Sequence, residues 1–148
     1  MKRTLFIIAV GLFIFSACEK IEKYSNEQRD ALNKLSGSYH AYVGKEMISA
    51  VISFTSRYEM PLPVSEGKNV VYYLHGECLF WDYNYYIPDK GYIPCYYSIS
   101  EKADELSLYY KGGDDNRRLL RTYGLRIETT DVFTLNDNGR IIRFQKIK

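Results

Sequence analysis

Cys78, Cys95, His75, Glu77 and His40 are the side chains of this 148-residue chain whose types and spacing could do chemistry. A catalytic thiol needs a base beside it, and the sequence supplies only His40 and His75 for that role. His75, Glu77 and Cys78 fall within four residues, which invites a metal reading. On a regular strand, however, His75 and Glu77 share one face while Cys78 points to the other. Only a bulge at Gly76 would realign them; otherwise His75 is a solvent-facing ring beside a glycine kink. In an oxidising compartment a leftover pair of cysteines bridges more readily than it reacts. If the segments around 78–83 and 91–99 form a hairpin, Cys78 and Cys95 stand opposite each other, as a disulfide or as two buried free thiols. No Ser-His-Asp spacing, glycine-rich phosphate loop or close carboxylate pair is present. The chain therefore reads as non-enzymatic, with no metal and no cofactor.

A second group of residues suits recognition instead of catalysis. Phe80-Trp81-Asp82-Tyr83-Asn84-Tyr85-Tyr86-Ile87-Pro88 holds the only tryptophan of the chain and is followed by Tyr92, Tyr96 and Tyr97. Tyrosine and tryptophan offer large amphipathic faces at low entropic cost. Trp81, Tyr83, Tyr85, Tyr86 and Tyr92 are thus the candidate contacts for a small apolar, aromatic or sugar ligand, or for a protein partner. The competing reading is that these rings pack a sheet, where tyrosine is favoured anyway.

The amino-terminal residues concern address. Lys2 and Arg3 precede an apolar run of 11 residues, 5–15, and the small residues Ser16 and Ala17 come before Cys18. This is the order of a secretory signal over residues 1–17. The run falls well short of the roughly 20 residues that cross a bilayer as a helix. Phe15-Ser16-Ala17-Cys18 resembles the lipobox of bacterial lipoproteins, with Phe15 in place of the more usual leucine. The resemblance implies cleavage before Cys18, lipidation of its thiol, and a protein held in the bacterial cell envelope. The expected place is the outer membrane, on its periplasmic or surface face. Several acyl chains together make such an anchor lasting.

Lys2 and Arg3 leave with the signal, so the 20 basic residues of the chain fall to 18 against 18 acidic ones. A neutral domain without a basic stripe is a poor match for nucleic acid, and Arg117, Arg118 and Arg121, close to Asp114 and Asp115, read as a solvated turn.

The elements that must position these residues follow from local pattern. Residues 18–24 are short and charged, as a tether would be, and residues 25–148 suffice for one domain. Ser25-Asn26-Glu27-Gln28 is a capping box that predicts a short helix to about Lys34. Beyond it, tyrosine and β-branched residues predict about eight strands. Asn138-Gly139 supplies the two positive-φ residues of a type I′ hairpin, setting Leu135 opposite Ile142 and Phe133 opposite Phe144. A three-residue turn at 129–131 likewise sets Ile127 opposite Phe133 and Leu125 opposite Leu135. Residues 48–55 alternate with Ile48, Ala50, Ile52 and Phe54 on one side, and Gly76 marks a bulge in a long strand over 68–83. Residues 59–69, with Pro61 and Pro63, predict an extended, exposed loop.

Eight antiparallel strands joined by short turns predict an all-β, up-and-down eight-stranded barrel with a short amino-terminal helix, a β-sandwich being the alternative. Leu35-Ser36-Gly37-Ser38-Tyr39, Ile52-Ser53-Phe54, Tyr97-Ser98-Ile99 before Leu106-Ser107-Leu108, and Asp137-Asn138-Gly139 through Phe144 together resemble the lipocalin-like domains of small bacterial lipoproteins. Tyr39 stands where lipocalins place a tryptophan beneath the barrel. The resemblance implies a binding module that holds a small ligand in the barrel or at the tyrosine-rich loop. The alternative is an interaction subunit that docks on another envelope protein through an aromatic patch.

Overall fold

The computed structural model describes residues 23–66, 70–85, 91–112 and 118–148. The leader, Cys18, residues 18–22 of the tether, Tyr86 and the turn containing Asp114, Asp115 and Arg117 lie outside the described residues. Among the described residues the chain runs through one helix, α1 (Asn26–Lys34), and then β1 (Gly37–Val43), β2 (Met47–Glu66) and β3 (Val70–Asp82). A 3-10 turn (Tyr83–Tyr85) leads on to β4 (Ile93–Ile99), β5 (Glu105–Tyr110), β6 (Leu119–Ile127), β7 (Val132–Asp137) and β8 (Arg140–Lys146). Each strand pairs antiparallel with its chain neighbours, and β8 returns to β1, so the protein is a closed up-and-down barrel. Closure excludes the sandwich and satisfies what would otherwise be two open sheet edges.

The local signals act as their chemistry dictates. The Ser25 hydroxyl accepts the Gln28 backbone N–H at 3.0 Å, and the Gln28 side-chain oxygen accepts the Ser25 N–H at 3.0 Å. The helix start is then fastened to the β4–β5 turn: Ser25 Oγ donates to the Glu101 carbonyl at 2.7 Å and Gln28 Nε2 to the Ile99 carbonyl at 2.9 Å. Asn138 and Gly139 adopt φ of 50° and 96°, and β7 and β8 pair in the expected register. The β6–β7 pairs Ile127 with Phe133 and Leu125 with Leu135 also form.

Two expectations are corrected. Most of the segment 59–69 is strand, not loop, since Leu62 pairs with Leu74, Pro63 with Tyr73 and Val64 with Tyr72. Proline lacks an N–H and belongs on strand edges. Beyond Phe54, β2 has left β1 and hydrogen-bonds only to β3, so its other edge makes no demand on Pro61 or Pro63. Met60 and Leu62 are exposed as expected, but Val64 is buried against Leu74 and Tyr109. The second correction concerns Gly76, because the irregularities lie on the facing strand, between Phe54 and Ser56 and between Arg57 and Leu62. Gly76 instead provides room: a Cβ there would sit 2.1 Å from the Ser56 carbonyl oxygen and 2.9 Å from the Tyr97 ring. At this point the outer half of the β2–β3 hairpin leaves the barrel wall and forms an arm.

The inner faces supply one continuous core. Near the helix end, Tyr39, Phe54, Phe133, Phe144 and Tyr97 form an aromatic cluster. Phe133 stacks on Phe144 at 4.9 Å and meets Tyr39 edge-on at 4.9 Å. Leu32 and Leu35 close this end from below. Tyr39 is fully buried, and its hydroxyl lies 3.1 Å from the carbonyls of both Lys34 and Thr130. It ties the helix end to the β6–β7 turn.

Candidate functional site

Strand pairing places the ends of β2, β4, β6 and β8 beside α1, and the β1–β2, β3–β4 and β7–β8 turns at the opposite mouth. Three regions result: the lumen, the far mouth and an outer cleft beside the arm.

The lumen holds the two cysteines. Cys78 and Cys95 are cross-strand partners, in the register expected, and both are buried free thiols. The Cys95 Sγ donates to the Ile93 carbonyl at 3.4 Å. The hydrogen bond between the two thiols, and then burial, push Cys78 well above the usual thiol range. Such a thiol is a poor nucleophile. Around them Phe80, Tyr123, Leu106 and Leu135 are fully buried, so side chains fill the barrel. Hollows of about 310 and 260 Å³ lie beside α1, the larger one bounded by Phe54 and Tyr97 of the aromatic cluster together with Leu32 and Leu35.

Charged side chains close the far mouth. By alternation Asp82, Arg121, Asp137 and Arg140 continue the inward faces of β3, β6, β7 and β8. The Asp82 carboxylate is fully buried and takes both Nη1 (3.3 Å) and Nη2 of Arg140. Arg140 also reaches Asp137 at 3.4 Å, and Arg121 grips Asp137 through Nε at 2.7 Å and through Nη2. Arg121 is therefore part of a half-buried ion network, not of a solvated turn. Buried carboxylates persist only when paired in this way. Alternation from Phe133 and Leu135 already pointed Asp137 inward, and that was the signal that the inner face turns polar at this mouth.

Around the same mouth stands a rim of exposed apolar side chains. Tyr42, Val43, Met47 and Ile48 come from the β1–β2 hairpin, and Ile141 from the start of β8. Tyr83 in the 3-10 turn is 59 % exposed, and Tyr92 just before β4 is 54 % exposed. Trp81, paired with Val51 in the wall, is only half-buried. Tyr85 ends the 3-10 turn, and residues 86–90 lie outside the described residues. The structure thus brings Tyr83 and Tyr92 to a mouth that they share with four apolar residues of the first hairpin.

The outer cleft, about 700 Å³, lies between the start of α1, the β2–β3 arm and the outward face of β4 and β5. His75 lines it and is not solvent-facing: it is 1 % exposed, covered by an edge-on contact with Tyr24 at 5.1 Å. Burial lowers its pKa to about 4, so the ring is neutral at pH 7. Nδ1 accepts the Ile99 N–H at 3.0 Å, which puts the ring proton on Nε2, a buried atom with no hydrogen-bond partner. Glu77 turns elsewhere, to Lys111 at 2.6 Å. His40 lies on β1, 3.4 Å from the Tyr42 hydroxyl. Among the described residues no three His, Cys, Asp or Glu side chains converge as metal ligands.

Comparison with protein-family models, with curated proteins and with solved structures found no match to this chain. Among the described residues no helix is long and apolar enough to cross a membrane.

Proposed function

We propose that this chain is a membrane-anchored, non-enzymatic binding lipoprotein of the bacterial cell envelope. In this reading its lipocalin-like barrel is a solid spacer that docks on another envelope protein through its aromatic rim. The observation that carries the reading is the gathering of Tyr42, Val43, Met47, Ile48, Tyr83 and Ile141 at the mouth opposite α1. Residue 23 enters the domain at the helix end, which is fastened to Glu101. A lipid on Cys18 therefore holds that end at the bilayer and turns the rim away from it. Exposed apolar clusters with polar surroundings are the usual mark of a protein interface.

A small apolar or aromatic ligand held in the lumen is the weaker reading, because Phe80, Tyr123 and Phe133 already occupy that space. The test is a photo-crosslinking amino acid at Val43 or Tyr83 of the full chain in its membrane. A discrete envelope-protein adduct from the rim, absent when the crosslinker sits at exposed Arg126 on the wall, supports the reading. Equal labelling from wall and rim, or no adduct from the rim, refutes it.

A further inference from the structure

The entry to the domain is clasped to the barrel around one buried imidazole. Tyr24 sets its ring edge-on against His75 at 5.1 Å, and its hydroxyl donates to the Tyr58 carbonyl on the arm at 2.7 Å. Ser25 Oγ then donates to the Glu101 carbonyl, and Gln28 Nε2, in the first turn of α1, to the Ile99 carbonyl. The Ile99 N–H closes the circuit by donating to His75 Nδ1 at 3.0 Å. Residues 24–28, the arm and the end of β4 therefore meet at His75, which is fully buried.

This arrangement has no place for a second ring proton. A neutral imidazole has one nitrogen lone pair that accepts, and here it is the one on Nδ1. The ring proton is on Nε2, which among the described residues has no acceptor. A further proton must therefore go to Nδ1. Two donors then face each other where a hydrogen bond stood, the Ile99 N–H loses its acceptor, and a buried cation carries two N–H groups with nothing to receive them. Lifting Tyr24 relieves all of this, because water then reaches both ring nitrogens and the Ile99 amide. The rest of the molecule has no such need. Phe133, Leu135 and Phe144 form the barrel core without His75, and Leu32 and Leu35 hold the far end of α1 in that core.

We propose that His75 is a proton-operated latch: a proton taken up at Nδ1 releases the Tyr24–Gln28 clasp from the arm and from β4 while the barrel stays closed. The open form binds the proton more tightly, since burial lowers the closed form's pKa from 6.5 to about 4. The clasp is thus held at neutral pH and lost as pH falls from 6.5 towards 4. The other titratable groups around the same cleft are Lys23 before α1, Tyr73 on the arm, Glu101 on the β4–β5 turn, and Glu105 and Tyr109 on β5. Arg57 acts on Tyr24, and Glu77, on the same strand as His75, is engaged by Lys111. Glu101 and Glu105 titrate within the same range of pH, so the test must separate them from His75.

Amide hydrogen exchange on the full chain, ¹⁵N-labelled and purified in detergent, provides that test. Corrected for intrinsic exchange, protection of the Ile99, Gln28 and Arg29 amides is expected to fall roughly a hundredfold between pH 7 and pH 4. The Phe133 and Leu135 amides should remain the more protected at both. His75→Gln, whose side-chain oxygen accepts the Ile99 N–H but takes no proton, is expected to abolish the fall. Glu101→Gln and Glu105→Gln are expected to leave it in place. Tyr24→Ala, which keeps the imidazole and removes its cover, should make His75 titrate about one pH unit or more above the wild type, read from its ring resonances. This last variant decides the matter even where His75→Gln does not fold. The proposal is overturned if Ile99 stays protected at pH 4, or if the core amides lose protection to the same level. It is equally overturned if His75→Gln retains the fall, if a glutamate variant abolishes it, or if Tyr24→Ala leaves the His75 titration unchanged.

Discussion

Phe133→Ala offers the sharpest test that the barrel is solid. Phe133 is fully buried, stacks on Phe144 at 4.9 Å and meets Tyr39 edge-on at 4.9 Å. Truncating a buried phenylalanine costs about 3–5 kcal/mol through lost transfer energy and the cavity left behind. The two close ring contacts place this site in the upper half of that range, at roughly 4 kcal/mol. With a urea m-value of about 2 kcal/mol/M, the unfolding midpoint should fall by roughly 2 M at unchanged m. Equilibrium unfolding followed by the fluorescence of Trp81 measures this. The variant should also gain what the wild type lacks, a dry cavity that takes up benzene and is partly restabilised by it. A loss below about 1 kcal/mol, or a wild-type barrel that is stabilised by benzene as strongly as the variant, would refute the filled interior.

Three further outcomes follow from other residues. The folded pKa of His75, about 4, lies below its unfolded value of 6.5, so its contribution is present above pH 6.5 and is lost as pH falls towards 4. Roughly 3 kcal/mol of the acid destabilisation between pH 7 and pH 4 should vanish in His75→Gln, read as the difference between the two proteins' urea midpoints. Cys78 and Cys95 should ignore a thiol reagent until urea unfolds the barrel; mass spectrometry that finds rapid labelling of the folded protein would contradict their burial. Gly76→Ala should cost about 3 kcal/mol by thermal melting, since the nearest obstacle is the Ser56 backbone carbonyl, which no side-chain rotation can relieve. A cost under about 0.5 kcal/mol would show that the arm does not kink there.

Where a feature rests on neighbours in sequence, the chain was readable. The Ser25 and Gln28 capping pair delimits α1, and Asn138-Gly139 fixes the register of the last hairpin, because each effect acts within four residues. The alternation of Leu125, Ile127, Phe133 and Leu135 carried that register one strand further. Pro61 and Pro63 read as a loop because the rule against proline in strands assumes two hydrogen-bonded neighbours. That β2 loses one of them after Phe54 is a property of the closed sheet. The candidate site was less legible. Tyr83 and Tyr92 stood out by composition, but Val43, Met47 and Ile141 join them only once the barrel closes. His75 read as exposed because its cover, Tyr24, lies some fifty residues away on the segment leading into α1. Asp82 finds Arg140 across a separation of 58 residues, which no local pattern encodes.

The central claim is that the rim opposite the tether is the working face. Binding of the full chain to envelope membranes that lack it, compared between wild type and the double variant Val43→Asp, Tyr83→Asp, tests this most directly. Both positions are already exposed, so the variant should melt within about 1 kcal/mol of the wild type. The account predicts saturable wild-type binding that weakens at least tenfold in the variant. Equal binding by the two proteins would contradict it.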